Sequence, residues 1–352
     1  MNAAIRADLA ALPAYVPGRT VRGAVKLASN EVALPPPPAM LEAIGRAAGE
    51  ANRYPDMSVS RLTQRLAERH AVGAEHIAVG CGSVLLCQQL VQVTCGEPGD
   101  EVLFAWRSFE AYPIVTRVGR ADPVAVPLDA EHRHDPKAML AAITPRTRLV
   151  FVCNPNNPTG TALRRDELLE LLDHVPPDVL VALDEAYHEF VTDDRVPDGL
   201  DLLAERSNLV VLRTFSKAYR LAGLRVGYAV GAPHVIEALR KVYPAFSVNS
   251  LAQAGALAAL DCLPELLASC ADIATERERV HRTLTGAGYP VPPSQANFVW
   301  LPLAERAAEF AAHCERAGVI VRPFAGDGVR VTVALPEEND RFLAAARAFA
   351  RC

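Results

Sequence analysis

Residues 179–190 read VLVALDEAYHEF, an unbroken apolar run closed by two carboxylates, Asp184 and Glu185. A short, β-branched run of this kind is a strand buried on both faces. Similar runs recur over the first two thirds of the chain, at His76–Val79, Glu101–Ala105, Pro123–Val126, Leu149–Cys153, Leu209–Leu212 and Val226–Val230. Between several of them lie stretches with helical spacing, Val84–Val93, Pro136–Ala142 and Arg165–Leu172. The alternation predicts an α/β fold whose large domain is a mostly parallel seven-stranded sheet flanked by crossover helices. Ligands of such sheets collect at the carboxyl ends of the strands. The polar residues of this chain are concentrated there.

Beyond Phe246 the texture changes. Ser250–Gly286 is rich in Ala, Leu, Glu and Arg and reads as one or two helices, followed by short strands at Asn297–Leu301, Val319–Val321 and Val329–Ala334. This predicts a smaller α+β carboxyl-terminal domain over 247–352, after a large domain over 39–246. Residues 1–38, with Pro13, Pro17 and the run Pro35–Pro38, read as an arm and linker rather than packed structure. A length of 352 residues fits two domains at ~150 residues each.

With 50% hydrophobic and 22% charged residues, the 21 Gly and 27 Pro are punctuation rather than signs of a disordered or collagen-like chain. A formal charge of -5 lacks the positive excess that binding a nucleic-acid backbone requires. The eight Cys form no CxxC pair, which argues against a zinc site or disulfide framework and for thiols in a reducing compartment. Arg6 and Asp8 interrupt the opening MNAAIRADLAALPAYVPG where a signal peptide needs an apolar core. No uncharged apolar stretch approaches the ~18 residues of a membrane span. A cytoplasmic protein is expected, without nucleic-acid or membrane partners.

Five polar clusters could carry chemistry. In VGCGSVLLCQQL (79–90), Gly82 and Ser83 open a helix after a strand, which suits an ordinary tight turn or a seat for an anion on open backbone N–H groups. In NPNNPTG (154–160) two Pro and a Gly build a turn that either aims an Asn amide into a site or leaves its amides in water. Asp184, closing a buried strand, needs a partner: a buried Arg, a helix N-terminus or the protonated ring nitrogen of a cofactor. In VVLRTFSKAYRLAGLRVGY (210–228), Lys217 is either a solvated charge or, desolvated near other cations, an amine able to form a Schiff base. Ser216 and Arg225 could clamp a phosphate. In DGVRVTV (327–333), Arg330 faces solvent or holds a carboxylate between the domains.

Taken together and in this order, NPNNPTG, DEAY, TFSKAY with AGLR and a late Arg resemble the pyridoxal-phosphate aminotransferases of fold type I. The histidinol-phosphate aminotransferase branch is most similar, since it also carries segments like Ser29–Asn30–Glu31 and Arg53–Tyr54–Pro55–Asp56. The resemblance runs from about Tyr15 to Arg330. It implies that Lys217 holds pyridoxal 5′-phosphate as an aldimine and moves the substrate proton, while Asp184 keeps the ring nitrogen protonated. By the same resemblance Asn157 and Tyr187 would bond the ring oxygen, and Phe109 would stack on the ring. The phosphate would be bound by Ser216, Arg225 and the Gly82–Ser83 amides, with Tyr54 reaching it from the neighbouring subunit of a homodimer. Arg330, with Tyr15 and Asn30, would hold the substrate.

Within the branch, Pro244 stands where enzymes for histidinol phosphate often carry a Tyr. The wording LASNE, VGCGS, WRSFE and PSQANFVWLPL is similar to the aromatic aminotransferases of actinobacteria. The trio Trp106, Phe109 and Tyr112 suits either an aromatic pocket or core packing. The expected activity is amino transfer from Phe, Tyr or Trp to a 2-oxo acid such as 2-oxoglutarate. A histidinol-phosphate aminotransferase, a lyase or decarboxylase on the same scaffold, and a cofactor-binding regulator are the alternatives. Arg220 stands where relatives usually carry Gly or Ala, so the loop from Lys217 to Arg225 is expected to be held differently.

Overall fold

The computed structural model describes residues 6, 12 and 18–350. In chain order its main elements begin with β1 (Val25–Lys26), α1 (Pro38–Ala48), α2 (Ser60–His70), β2 (Ile77–Gly80), α3 (Ser83–Thr94), β3 (Glu101–Trp106) and α4 (Ala111–Val118). There follow β4 (Asp122–Pro127), α5 (Pro136–Ala141), β5 (Thr147–Cys153), α6 (Arg165–His174), β6 (Leu180–Asp184), β7 (Leu209–Thr214), β8 (Gly227–Gly231) and α7 (Pro233–Lys241). The remainder is α8 (Ser250–Asp261), α9 (Leu263–Gly286), β9 (Phe298–Leu301), α10 (Ala307–Arg316), β10 (Val319–Ile320), β11 (Arg322–Phe324), β12 (Gly328–Thr332) and α11 (Pro336–Phe349).

All seven expected strands form one sheet, in the order β2-β8-β7-β6-β5-β3-β4. The pairs within β7-β6-β5-β3-β4 are parallel, and β8 runs antiparallel to both β7 and β2. Two reversals restore the direction, so β2, β5, β6 and β7 all end at one edge. Every residue of β6 and β7 is buried, each large aliphatic side chain contributing about 1.5–3 kcal/mol. The strand β4, one of the two edge strands, departs from the expectation of two-sided burial: only Val126 in it is buried.

The carboxyl-terminal segment forms an antiparallel sheet, β11-β12-β9, against which α10 packs, while α11 joins α9 and α10. The stretch 250–286 is two helices bent by 79°, and α8 packs on α1 and α2. The expectation of a loose arm fails over its described part. Residues Val25–Lys26 pair with Val319–Ile320, Leu27 is fully buried, and Pro38 opens α1. Leu27 and Ala28 bury apolar surface that a bare linker would leave in water. No single helix among the described residues is long and apolar enough to cross a membrane. The seven described Cys are free thiols.

Strand geometry sends successive side chains to opposite faces, which separates Asp184 from Glu185. Glu185 meets a buried arginine: Arg213 Nη2 lies 2.6 Å from Glu185 Oε2 and 2.7 Å from Asp198 Oδ1. Among the described residues, Glu185, His188 and Asp198 are the one group spaced to hold a metal, and the Arg213 guanidinium supplies positive charge to that group. Arg213→Met should lower stability by roughly 3–5 kcal/mol, because it strands the Glu185 carboxylate without its cation. Urea unfolding at neutral pH measures this.

Candidate active site

The aligned strand ends enclose a cavity of about 250 Å³ lined by residues of both sheets and of the 28–31 segment. At the end of β5, neighbouring asparagines lock the turn. Asn154 Oδ1 accepts from the Leu163 amide at 2.7 Å, and Asn156 accepts from Ser108 Oγ and donates to Arg107 O and Thr159 Oγ1. Asn157 is left to face the cavity, where its Oδ1 accepts from Arg330 Nη1 at 2.5 Å.

At the end of β6, Asp184 is 2% exposed and its Oδ2 accepts from the Tyr112 hydroxyl at 2.8 Å. Its Oδ1 is buried with no hydrogen-bond partner among the described residues. Burial pushes this carboxyl up to about 6, with the Tyr112 hydroxyl and the Ala186 backbone N–H opposing the shift. Tyr187 lies in the same wall, its hydroxyl accepting from Asn30 Nδ2 at 3.0 Å. Asn30 is fully buried at φ 53°, a left-handed conformation that Asn tolerates better than most residues.

After β7, Lys217 Nζ donates to the Ser29 carbonyl at 3.1 Å. Burial lowers its pKa to about 7, helped by the Arg330 charge. In the cofactor-free protein, reductive labelling of Lys217 with a small aldehyde should therefore be half-maximal near pH 7, against above pH 10 for surface lysines. Peptide mapping across a pH series checks this.

The other end of the cavity is built for an anion. Arg225 Nη1 donates to Ser216 Oγ at 3.1 Å and to Ala222 O at 3.0 Å. Gly82, at φ +75°, leads into α3, whose first residue Ser83 lines the cavity. A Cβ on Gly82 would stand 2.5 Å from Arg225 Nη2, and one on Gly227 would stand 2.7 Å from the Ser83 nitrogen. Only glycine at both places lets the guanidinium and the helix start converge.

Arg330 is 8% exposed and also donates to the Ala28 carbonyl at 2.9 Å. Phe109 lines the cavity and meets Tyr112 edge-on at 5.6 Å.

The structure places the remaining candidate residues. Tyr112 is no wall of a substrate pocket: it is fully buried, stacked on Phe151 at 4.5 Å, and its hydroxyl holds Asp184. Trp106 packs beside the large-domain core under the Arg107 guanidinium, which leaves Phe109 as the one member of the trio that lines the cavity. Asp184 thus meets a hydroxyl, while the buried arginine considered for it serves Glu185. Tyr54 is 82% exposed, stacked on Phe246, and lies outside the cavity of its own chain. Tyr15 falls outside the described residues. Arg220, at φ 57°, ties its loop to the Pro35 carbonyl at 2.8 Å. The Ser29 carbonyl and the Tyr112 hydroxyl escaped the sequence reading. The placement of Tyr112 three residues after Phe109 is the one pattern that could have paired these side chains.

A buried cavity-lining carboxylate with one oxygen lacking a hydrogen bond among the described residues, an amine near neutrality and an anion seat at a helix start fit a cofactor with a basic ring nitrogen and a phosphate. The family model for aminotransferase class I and II matches residues 22–346. An aromatic amino acid aminotransferase of Nocardia farcinica is 59% identical, over 97% of this chain and 96% of that protein. A second of the same name, from Rhodococcus jostii, is also 59% identical, over 98% and 95%. A histidinol-phosphate aminotransferase of Sinorhizobium meliloti, solved with pyridoxal-5′-phosphate, superposes with a TM-score of 0.90 at 29% identity, covering 100% of this chain and 98% of that one. With its fold and nearly its whole length in agreement, the chain belongs to the class I and II aminotransferases.

Proposed function

We propose that this aminotransferase moves the amino group of phenylalanine, tyrosine or tryptophan to a 2-oxo acid such as 2-oxoglutarate, in two half-reactions on pyridoxal 5′-phosphate. The observation that carries the reading is the convergence on one cavity of the Lys217 amine, the unpartnered Asp184 Oδ1 and the Arg330 guanidinium. The aromatic preference is supported by the relatives that share more than half of its residues and by Phe109 in the cavity wall.

When bound, the cofactor supplies a carbonyl carbon for amine exchange and a ring that takes up electron density as the substrate Cα proton leaves. The chain's own groups do the rest. Asp184 Oδ1 holds a proton against the ring nitrogen, with Tyr112 fixing the other oxygen. Ser216, Arg225 and the amides at Gly82–Ser83 bind the phosphate, and Asn157 and Tyr187 bond the ring oxygen. Phe109 offers a ring for stacking. Lys217 Nζ, with a pKa near 7, takes the proton from Cα and returns it, the efficient range for a general base at neutral pH. Arg330 orients the substrate carboxylate, with Asn30 and Tyr15 beside it.

The working form is a cytoplasmic homodimer in which Tyr54, exposed on its own subunit, reaches the phosphate of the partner. The domains divide as 1–38, 39–246 and 247–352. A half-reaction panel read by cofactor absorbance tests the substrate: phenylalanine should convert the cofactor far faster than histidinol phosphate. The reverse order would assign the chain to histidinol phosphate. Carbon dioxide release without an oxo acid would make it a decarboxylase.

A further inference from the structure

In the antiparallel pair β11-β12, Arg322 stands directly opposite Arg330, so both side chains leave the same face of the sheet. Both line the cavity. Like charges set opposite each other on a sheet are destabilising unless an anion compensates. For Arg322 that anion is Glu110: Arg322 Nη2 donates to Glu110 Oε2 at 2.8 Å, with the side chains 12% and 31% exposed. Glu110 immediately precedes α4, one residue after Phe109, and reaches β11 from outside the cavity wall. The same short segment, WRSFE, thus places an aromatic ring inside the cavity and a counter-ion behind its second cation.

We propose that Glu110 sets the side-chain specificity of the site: by neutralising Arg322 it favours substrates with one carboxylate and an uncharged side chain over those carrying a second anion, whether carboxylate or phosphate. The inference rests on the reading of Arg330 as the partner of the substrate carboxylate. A dicarboxylic oxo acid that engages Arg322 must compete with Glu110 for its charge and donors, and Glu110, at 31% exposure, can turn into water. The acceptor half-reaction therefore works against this pair, and the aromatic donor does not.

The test uses two unreactive acids, glutarate with two carboxylates and 3-phenylpropionate with one, titrated by calorimetry into the cofactor-loaded protein. Wild type should bind 3-phenylpropionate more tightly. Glu110→Gln should tighten glutarate about tenfold, the scale of one largely desolvated charge released from its partner, and leave 3-phenylpropionate within about twofold. Adding Arg322→Gln to that variant should return glutarate to its wild-type affinity. Glu110→Ala serves as a second variant with the same expectation. An unchanged glutarate to 3-phenylpropionate ratio in both Glu110 variants, or a gain that survives the loss of Arg322, would overturn the inference. A wild-type preference for glutarate would defeat the aromatic reading separately, since the Glu110 inference is judged on the change in the ratio.

Discussion

Lys217→Ala, purified with excess pyridoxal 5′-phosphate, should show no measurable transamination and none of the visible colour that covalently held cofactor lends the wild type. The loss should exceed about 10⁴-fold, because the substitution removes both the covalent anchor and the general base. The fold should survive. Lys217 Nζ makes one hydrogen bond, to the Ser29 carbonyl, and its ammonium form is disfavoured by burial. The sign follows from linkage: with a folded pKa near 7 below the ordinary 10.5, the folded state binds fewer protons than the unfolded one between those values. This lysine therefore makes the cofactor-free wild type gain stability as pH rises from 7 towards 10, and Lys217→Ala should lack that gain. Melting curves across this range, with absorbance spectra, check both points. Full activity in the variant would refute the assignment.

Asp184→Asn is the second. The amide cannot supply the negative charge that holds a proton on the ring nitrogen, so the proton-abstraction step should slow by roughly 10³-fold, comparable to removing a preorganised charge from a developing transition state. A purely structural role predicts the opposite pattern of stability. Asp184 is buried with one bonded oxygen, and an amide oxygen can keep the Tyr112 bond. Its folded pKa of about 6 lies above the ordinary 3.8. The contribution of this carboxyl is therefore fully present below pH 4 and lost as pH rises through 6. The cofactor-free wild type should lose stability over that window, and Asp184→Asn should not. A variant that melts well below wild type at neutral pH yet turns over normally would show that Asp184 holds the sheet edge instead of serving the cofactor.

The seven runs read as strands pair in one sheet because each is apolar enough that no other placement satisfies it, and their spacing leaves room for crossover helices. The same rule puts Asp184, Asn157, Ser216 and Lys217 near a common edge, and all four line one cavity. Short pairings carry no such signal. The strand β1 has two residues and β11 three; their pairing partners lie far along the chain or depend on a hairpin bend, so their formation is decided by neighbours already in place. For this reason the expected linker turned out to be packed.

Local sequence thus determined the sheet, the order of its strand-end clusters and, with the motif wording, the family. Tertiary structure alone decided which neighbour serves each group. Alternation along β6 sends Asp184 to Tyr112 and Glu185 to Arg213, although the two carboxylates are adjacent in sequence. Pairing of β11 with β12 sets Arg322 opposite Arg330, and the start of α4 brings Glu110 to it. Such partners are separated by up to 212 residues, and side-chain chemistry at one position says what kind of partner it needs but not which distant residue the fold will deliver.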